Sequence, residues 1–258
     1  MTRHETFAPR SIHEKELVLA TDLDGTFLGG SDLARSQFYR WIEAQRDRIG
    51  LIFVTGRDPE FICDLTNGTD VPTPDYVVGD VGSTIARMQA DHTLAPIAAL
   101  EEEIAAAWGE AGPKVREALD GHPGLTLQPT KFRYRVSYDL DPETFDDSAV
   151  GKMEAMGLDT ITSDNRFFDV LPKGVSKGPS LLRLLDHLGI DHRRALAAGD
   201  TLNDLSMLQV GVPAVAVGGS EPALIEAVTG LPHIHIAEGV GVSGIAEAIA
   251  HLNLLPGK

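Results

Sequence analysis

The sequence predicts an α/β fold: a doubly wound, Rossmann-like parallel-sheet core with a smaller α+β cap domain inserted into it. Three observations carry this expectation. Short, continuously apolar runs alternate with stretches of helical period in both halves of the 258-residue chain, as in strands buried on both faces of a parallel sheet. Two of those runs end in acidic, glycine-bearing turns, at the strand ends where open α/β sheets bind ligands. Between the halves the pattern changes to period-two alternation with one polar face, as in an antiparallel sheet open to water or ligand on one side.

Taken in order, Glu16-Leu17-Val18-Leu19-Ala20-Thr21 reads as the first buried strand and enters Asp22. A helix is expected over about 32–45, a second buried strand over 50–54, and a helix from Pro59 that stops before Asn67-Gly68. Tyr76-Val77-Val78 is a third strand. In the middle, helical patterns near 100–108 and 148–156 are interleaved with strands. Residues 131–140 place Phe132, Tyr134, Val136, Tyr138 and Leu140 on one face. Lys131, Arg133, Arg135, Ser137 and Asp139 fall on the other. The late half resumes the first grammar. Ser176 is placed to cap a helix whose Leu181, Leu184, Leu185 and Leu188 share a face, with Gly189 at its end. Ala195-Leu196-Ala197-Ala198 is a strand running into Gly199-Asp200, and 212–217, 221–229 and 243–252 read as strand, helix and helix. The implied organisation is a polar tail at 1–15, a core of 16–85 plus 172–258, and a cap of 86–171.

Composition excludes several classes. Acids outnumber bases 38 to 22, for a net charge of −16, which opposes binding to nucleic acid or anionic membrane. No apolar run approaches the roughly 18 residues of a membrane span. One cysteine, Cys63, permits no internal disulfide, which fits a reducing cytoplasm. The expected partner is a small molecule, with the chain a monomer or weak homo-oligomer.

Four motifs carry the chemistry. In Asp22-Leu23-Asp24-Gly25-Thr26, two carboxylates two residues apart at a strand end can converge on one cation and one substrate. Such oxygen ligands suit Mg2+ with a phosphate, and a carboxylate can attack phosphorus. Acids before glycine are also ordinary turn chemistry. In Thr55-Gly56-Arg57, a hydroxyl, a backbone N–H and a guanidinium follow the second strand, either holding phosphate oxygens or forming a plain turn. Lys177 sits at an expected helix start, where a cation opposes the helix dipole unless carboxylates or an anion offset it. In Gly199-Asp200-Thr201-Leu202-Asn203-Asp204, Asp200 can join Asp22 and Asp24 around a metal. Asp204 can do the same or cap the following helix.

In this order, Asp-x-Asp-Gly-Thr, Thr-Gly-Arg, a downstream Lys and Gly-Asp-x-x-Asn-Asp resemble the four motifs of the haloacid dehalogenase superfamily of phosphatases. The insertion resembles the larger α/β cap of its sugar-phosphatase branch. A finer resemblance to sucrose-phosphate phosphatases rests on Pro74-Asp75-Tyr76 with Val81-Gly82-Ser83, on Arg135-Val136-Ser137-Tyr138, and on Asp169-Val170-Leu171-Pro172. Gly25 departs from that pattern, which often has Asn there. The resemblance implies a Mg2+-dependent phosphomonoester hydrolase acting on a sugar phosphate through an aspartyl-phosphate. A disaccharide phosphate such as sucrose 6-phosphate is the expected substrate. A broad-specificity hexose-phosphate phosphatase, a phosphomutase and a non-catalytic sensing domain are the alternatives. By the same pattern Asp22, Asp24, Thr55 and Lys177 are catalytic, and Asp22, Asp24, Asp200 and Asp204 hold the metal. Gly25, Thr26, Gly56, Arg57 and Asn203 bind phosphate or substrate. Arg133, Arg135 and Arg166 would face the substrate from the cap, unless their face is simply solvated. Gly239-x-Gly241-x-x-Gly244 matches a dinucleotide fingerprint but leaves no room for the βαβ unit that would give it meaning.

Overall fold

The computed structural model describes residues 11–256 apart from Lys131 and Asp164. Its strands are β1 Leu17–Thr21, β2 Ile49–Val54, β3 Tyr76–Gly79, β4 Thr84–Met88, β5 Leu94–Pro96, β6 Leu125–Leu127, β7 Val136–Leu140, β8 Leu158–Ser163, β9 Phe167–Pro172, β10 Ala195–Gly199, β11 Ala214–Gly218 and β12 Ile234–Val240. Its helices are α1 Asp32–Ala44, α2 Pro59–Gly68, α3 Ala98–Trp108, α4 Ala111–Ala118, α5 Ser148–Ala155, α6 Lys177–His187, α7 Leu205–Leu208, α8 Pro222–Val228 and α9 Val242–His251. The larger sheet has the order β12-β11-β10-β1-β2-β3-β4-β5. It is parallel from β12 to β3, with β4 and β5 added antiparallel at one edge.

Period-two alternation along β1 explains the two helical layers. Leu17 and Leu19 face a cluster with Phe38 and Ile42 of α1 and Ile245 and Ile249 of α9. Val18 and Ala20 face the opposite cluster, with Leu181, Leu184 and Leu185 of α6, Leu208 of α7 and Leu224 of α8. Both sides of the strand are thus covered, which is why it reads as an unbroken apolar run. Burying each large aliphatic side chain here stabilises the fold by about 1.5–3 kcal/mol. The smaller sheet is antiparallel, in the order β6-β7-β9-β8. Val136, Tyr138, Phe168 and Val170 pack there against Val115 of α4 and Met153 of α5. Helix α3 serves both halves: Leu100 and Ile104 join the core layer, and Trp108 joins the cap cluster.

Several expectations are corrected. The boundary at 86 falls inside β4, and the β4–β5 hairpin extends the larger sheet, so the chain leaves that sheet only after Pro96. Strand β7 begins at Val136, not at 131; Lys131 lies outside the described residues. Helix α2 runs through Asn67-Gly68. Residues 1–10 lie outside the described residues, but 11–15 do not behave as a polar tail. Ile12 is buried over Gly50, whose missing Cβ would lie 2.5 Å from the Ile12 side chain. Lys15 is buried, donating from Nζ to the Ile49 carbonyl at 3.3 Å and pairing with Asp75 at 3.3 Å. A lone Ile among polar residues carries no periodic signal, so the sequence pattern missed this docking.

That docking is testable. Ile12→Ala should lower the unfolding free energy by about 2 kcal/mol or more, read from urea denaturation with an unchanged m-value. A loss under about 0.5 kcal/mol, the size of an ordinary surface substitution, would mean that this segment does not hold the core.

Candidate active site

The site grows from the carboxyl ends of β1 and β10, which pair side by side. The Asp22 N–H donates to the Ala198 carbonyl at 2.9 Å, so the ladder continues one residue past β1 and fixes the Asp22 backbone. The chain then reverses at Gly25, with φ of +81°. A Cβ there would sit 2.1 Å from Asp200 Oδ2. Glycine is therefore required twice, for the left-handed conformation and for the approach of the Asp200 carboxylate. Thr26 Oγ1 donates to Asp200 Oδ1 at 2.6 Å.

Lys177 opens α6 and is 1% exposed. Its Nζ donates to Asp22 Oδ1 at 2.7 Å, Asn203 Oδ1 at 2.8 Å and Asp204 Oδ1 at 2.6 Å. The helix start is tied down separately, by Gly178 N–H donating to Ser206 Oγ at 3.1 Å. Burial disfavours the charged Lys177, but Asp204 and Asp22 outweigh it and hold its pKa above the usual lysine value. Burial pushes the Asp22 carboxyl well up; Lys177 opposes this, and Asp204 and Asp200 add to it. Carboxylate oxygens of Asp22, Asp200 and Asp204 lie within 4.8 Å of one another. Three carboxylates against one ammonium leave negative charge to be offset, and an all-oxygen donor set suits a hard cation. The residues present therefore fit a metal ion.

Asp204 takes the expected capping role and in addition pairs with Lys177. Its Oδ2 accepts the N–H groups of Asp200 at 3.0 Å and Thr201 at 3.1 Å, as a capping residue does, while Oδ1 faces Lys177. Asp24 differs from Asp22. Its side chain is 56% exposed and accepts two hydrogen bonds from Arg57, from Nε at 2.8 Å and Nη2 at 3.0 Å. Arg57 also lies over the Phe61 ring at 4.5 Å. Instead of an open phosphate ligand, the structure shows Arg57 gripping Asp24.

A cavity of about 740 Å³ lies between the two sheets. The larger half contributes Asp22, Asp24, Gly25, Thr55, Gly56, Arg57, Asp200 and Asn203 to its wall. The smaller half contributes Arg135 and Arg166, together with residues not assigned to the site from the sequence: Gln128, Phe132, Ser163 and Phe167, and Ser137 and Asp169, which figured in the finer resemblance. Nothing in their spacing marks them, since they come from separate strands and loops. Arg133 is not part of the lining. It pairs with Glu101 at 2.8 Å and donates to Thr84 Oγ1 at 3.3 Å. The expected shared face of Arg133 and Arg135 fails because both precede β7, where the chain is not extended in a sheet. Arg135 is buried and faces Asp169 at 3.4 Å and Asp80 at 3.7 Å, donating to the Gly56 carbonyl at 3.3 Å. The glycines of the dinucleotide-like motif serve packing. Gly241, at φ +56°, would put a Cβ 2.2 Å from the Gly29 backbone, and Gly239 would put one 2.7 Å from the Gly244 nitrogen.

The chain matches the family described as sucrose-6F-phosphate phosphohydrolase over residues 15–253. Glucosylglycerol-phosphate synthase of Pseudomonas anguilliseptica is 39% identical over 241 residues, covering 93% of this chain and 31% of that protein. The chain thus spans about a third of that relative. Mannosylfructose-phosphate phosphatase of Agrobacterium fabrum is 27% identical over 248 residues, covering 93% of this chain and 98% of that one. The sucrose-phosphatase of Synechocystis sp. PCC6803, solved in complex with sucrose and phosphate, shares the fold with a TM-score of 0.83 at 24% identity, over 93% of this chain and 99% of that one.

The charge cluster yields a prediction with a definite sign. Lys177→Met leaves Asp22 and Asp204 buried without their cation and should cost about 3–5 kcal/mol of stability near neutral pH. Burial already pushes the Asp22 carboxyl up, and the variant removes the cation that opposes this, so the deficit is largest at alkaline pH and shrinks on acidification towards the ordinary carboxylate range. Denaturation midpoints from alkaline pH down to that range check it; a deficit that grows on acidification would contradict the assigned charges.

Proposed function

Since the chain belongs to the sucrose-6F-phosphate phosphohydrolase family, phosphatases of the haloacid dehalogenase superfamily, we propose that it removes the phosphate from a phosphorylated glycoside. In such a substrate a glycosyl unit is joined to a phosphorylated sugar or polyol. The observation that carries this reading is the buried Asp22–Lys177 pair at 2.7 Å on the floor of a cavity walled by both halves. Its volume of about 740 Å³ suits a ligand of disaccharide size. The relatives that act on sucrose-phosphate and mannosylfructose-phosphate, and the one that makes glucosylglycerol-phosphate, support the same substrate class. A disaccharide phosphate such as sucrose 6-phosphate remains the leading member.

In the reaction, an Asp22 carboxylate oxygen forms a bond to phosphorus as the ester oxygen leaves. Asp24, released by Arg57 and protonated from solvent as the substrate enters, gives that proton to the leaving alkoxide. Asp24 then takes a proton from water as the water oxygen attacks phosphorus. The bond from phosphorus to Asp22 breaks, releasing phosphate and restoring Asp22. Lys177 lowers the repulsion between the anionic nucleophile and the anionic ester, and its charge is fixed before substrate arrives. Asn203 Oδ1 accepts from Lys177 Nζ, so its amide N–H groups remain as donors to phosphoryl oxygens. Thr55, 1% exposed at the end of β2, supplies a hydroxyl beside them. Arg57 holds the Asp24 carboxylate through two hydrogen bonds until substrate enters and frees it for proton transfer. A magnesium ion held by Asp22, Asp200 and the Asp24 carbonyl would supply further charge neutralisation on the phosphoryl oxygens.

Phosphate release with Mg2+ and with EDTA tests this across a panel of esters. Sucrose 6-phosphate, mannosylfructose phosphate and glucosylglycerol phosphate are set beside glucose 6-phosphate and an aryl phosphate. A preference of about 100-fold in kcat/KM for one glycoside phosphate, roughly 2.7 kcal/mol, is expected. Equal turnover of every ester would replace the glycoside reading with a generalist phosphatase, and no turnover of any ester would overturn hydrolysis itself. Asp22→Asn should lower kcat by roughly 10⁴-fold or more while the protein stays folded; retained turnover would displace Asp22 as the nucleophile. EDTA should abolish activity, and Mg2+ should raise the wild-type melting temperature but not that of Asp200→Asn.

A further inference from the structure

The reaction scheme makes no use of Asp80, a buried carboxylate. Asp80 begins the turn that follows β3 and is 5% exposed. Asp80, Val81 and Gly82 have φ of +52°, +58° and +100°. Left-handed values at an Asp and a β-branched Val are uncommon and persist only where surroundings over-determine them. Here the surroundings are the catalytic loops. The Asp80 N–H donates to the Arg57 carbonyl and the Val81 N–H to the Thr55 carbonyl, both at 3.1 Å. Ser180 Oγ of α6 donates to the Gly82 carbonyl at 2.7 Å, and a Cβ on Gly82 would lie 2.4 Å from the Ser176 carbonyl, next to Lys177. One turn therefore braces both the Thr55 loop and the start of the Lys177 helix.

The Asp80 side chain points across to the cap. Its Oδ2 accepts from Thr84 Oγ1 at 2.5 Å. Its Oδ1 is buried and has no hydrogen-bond partner among the described residues, and lies 3.7 Å from Arg135 Nη2. Arg135 Nε is likewise buried and unpartnered among the described residues. The Arg135 guanidinium lies 3.7 Å over the Phe132 ring and pairs with Asp169 of β9 at 3.4 Å. It therefore belongs to the cap while donating to Gly56 in the core. A buried ion pair without a hydrogen bond is short of its best geometry, because charge-assisted bonds settle near 2.7–2.9 Å.

We propose that Asp80 is a positioning residue that acts through Arg135: the pair draws together when a substrate spans the cavity, and so couples cap closure to the Thr55 and Lys177 loops. This rests on the hydrolase reading above. A glycoside phosphate reaches from Asp22 to the cap wall and favours the closed arrangement. An aryl phosphate touches the core side alone and gains nothing from the pair. Arg135, which the sequence pattern suggested as a sugar or phosphate ligand, is then a strut between the halves.

The test is kinetic and structural on the full chain. In Asp80→Asn, KM for the preferred glycoside phosphate should rise at least about 10-fold, with kcat changed less, while kcat/KM for the aryl phosphate stays within about threefold. Arg135→Met should lose a similar factor on the glycoside phosphate, and the double variant should be no worse than the poorer single, the mark of coupled residues. Arg135→Lys keeps the charge without the fork; its intermediate loss carries the test if Asp80→Asn does not fold. Hydrogen exchange without substrate should be faster in Asp80→Asn at β7 and at residues 55–57, and unchanged in β11. Equal losses on both esters would reduce Asp80 to a prop for the Thr55 loop, and additive losses or unchanged exchange would overturn the coupling. Wild-type protein inert towards every ester would sink the hydrolase reading instead, with the exchange data still judging the Asp80–Arg135 link.

Discussion

The ammonium of Lys177 is the interaction on which the rest of the site depends. It is the buried cation through which elements distant in sequence are tied: β1 through Asp22, the turn after β10 through Asn203 and Asp204, and α6 through its own backbone. A buried ammonium without partners would be unaffordable, and so would Asp22 and Asp204 without the ammonium. Each member therefore specifies the others. The position at a helix start, which opposes the macrodipole, is resolved by the two carboxylates that face it. The same arrangement that lets the strand ends converge also leaves a net negative pocket, which is the electrostatic condition for taking up a hard cation beside Asp22.

Legibility followed the range of the interactions. Asp22, Asp24, Asp200 and Asp204 were readable because each sits at the end of an apolar run or in a local capping pattern, and parallel strands bring such ends together without further information. The packing direction of β1 was readable for the same reason. The β4–β5 hairpin was not, because three-residue β5 carries no period and Arg87 interrupts the apolar character of β4. Arg133 misled because alternation predicts faces only inside a strand, and β7 starts beyond it; the side chain instead finds Glu101 on α3. Asp80 was invisible as a site residue, and Asp169 was marked by resemblance without a role, since their meaning comes from a third residue, Arg135, far from either in sequence.

Close backbone approach is a second constraint on the site. Gly25 admits the Asp200 carboxylate, Gly82 admits the Ser176 carbonyl, and a Cβ on Gly199 would lie 2.5 Å from the Asp204 side chain. These contacts pack the loops from the backbone side, leaving the functional side chains no slack to drift. The precision comes from strand ends and glycine turns, not from long flexible side chains.

The two carboxylates of the first motif show how two residues of one type acquire different work. Asp22 and Asp24 are separated by one residue, yet Asp22 is 6% exposed and the Asp24 side chain 56%. Asp22 prolongs the β1 ladder and so points at Lys177, whereas Asp24 lies beyond the ladder, next to the reversal at Gly25, and is turned out to the cavity, where Arg57 holds it. The nucleophile of the proposed reaction needs a fixed geometry and a counter-charge, and burial beside Lys177 provides both for Asp22. The acid and base of that proposal needs access to solvent and to the leaving oxygen, and the exposure of Asp24 in the cavity provides the first of these. Environments pushed apart in this way are what lets the proposed reaction give the two carboxylates different roles although they are the same residue type. Because the separation is made by a backbone turn, it is built in before any ligand arrives.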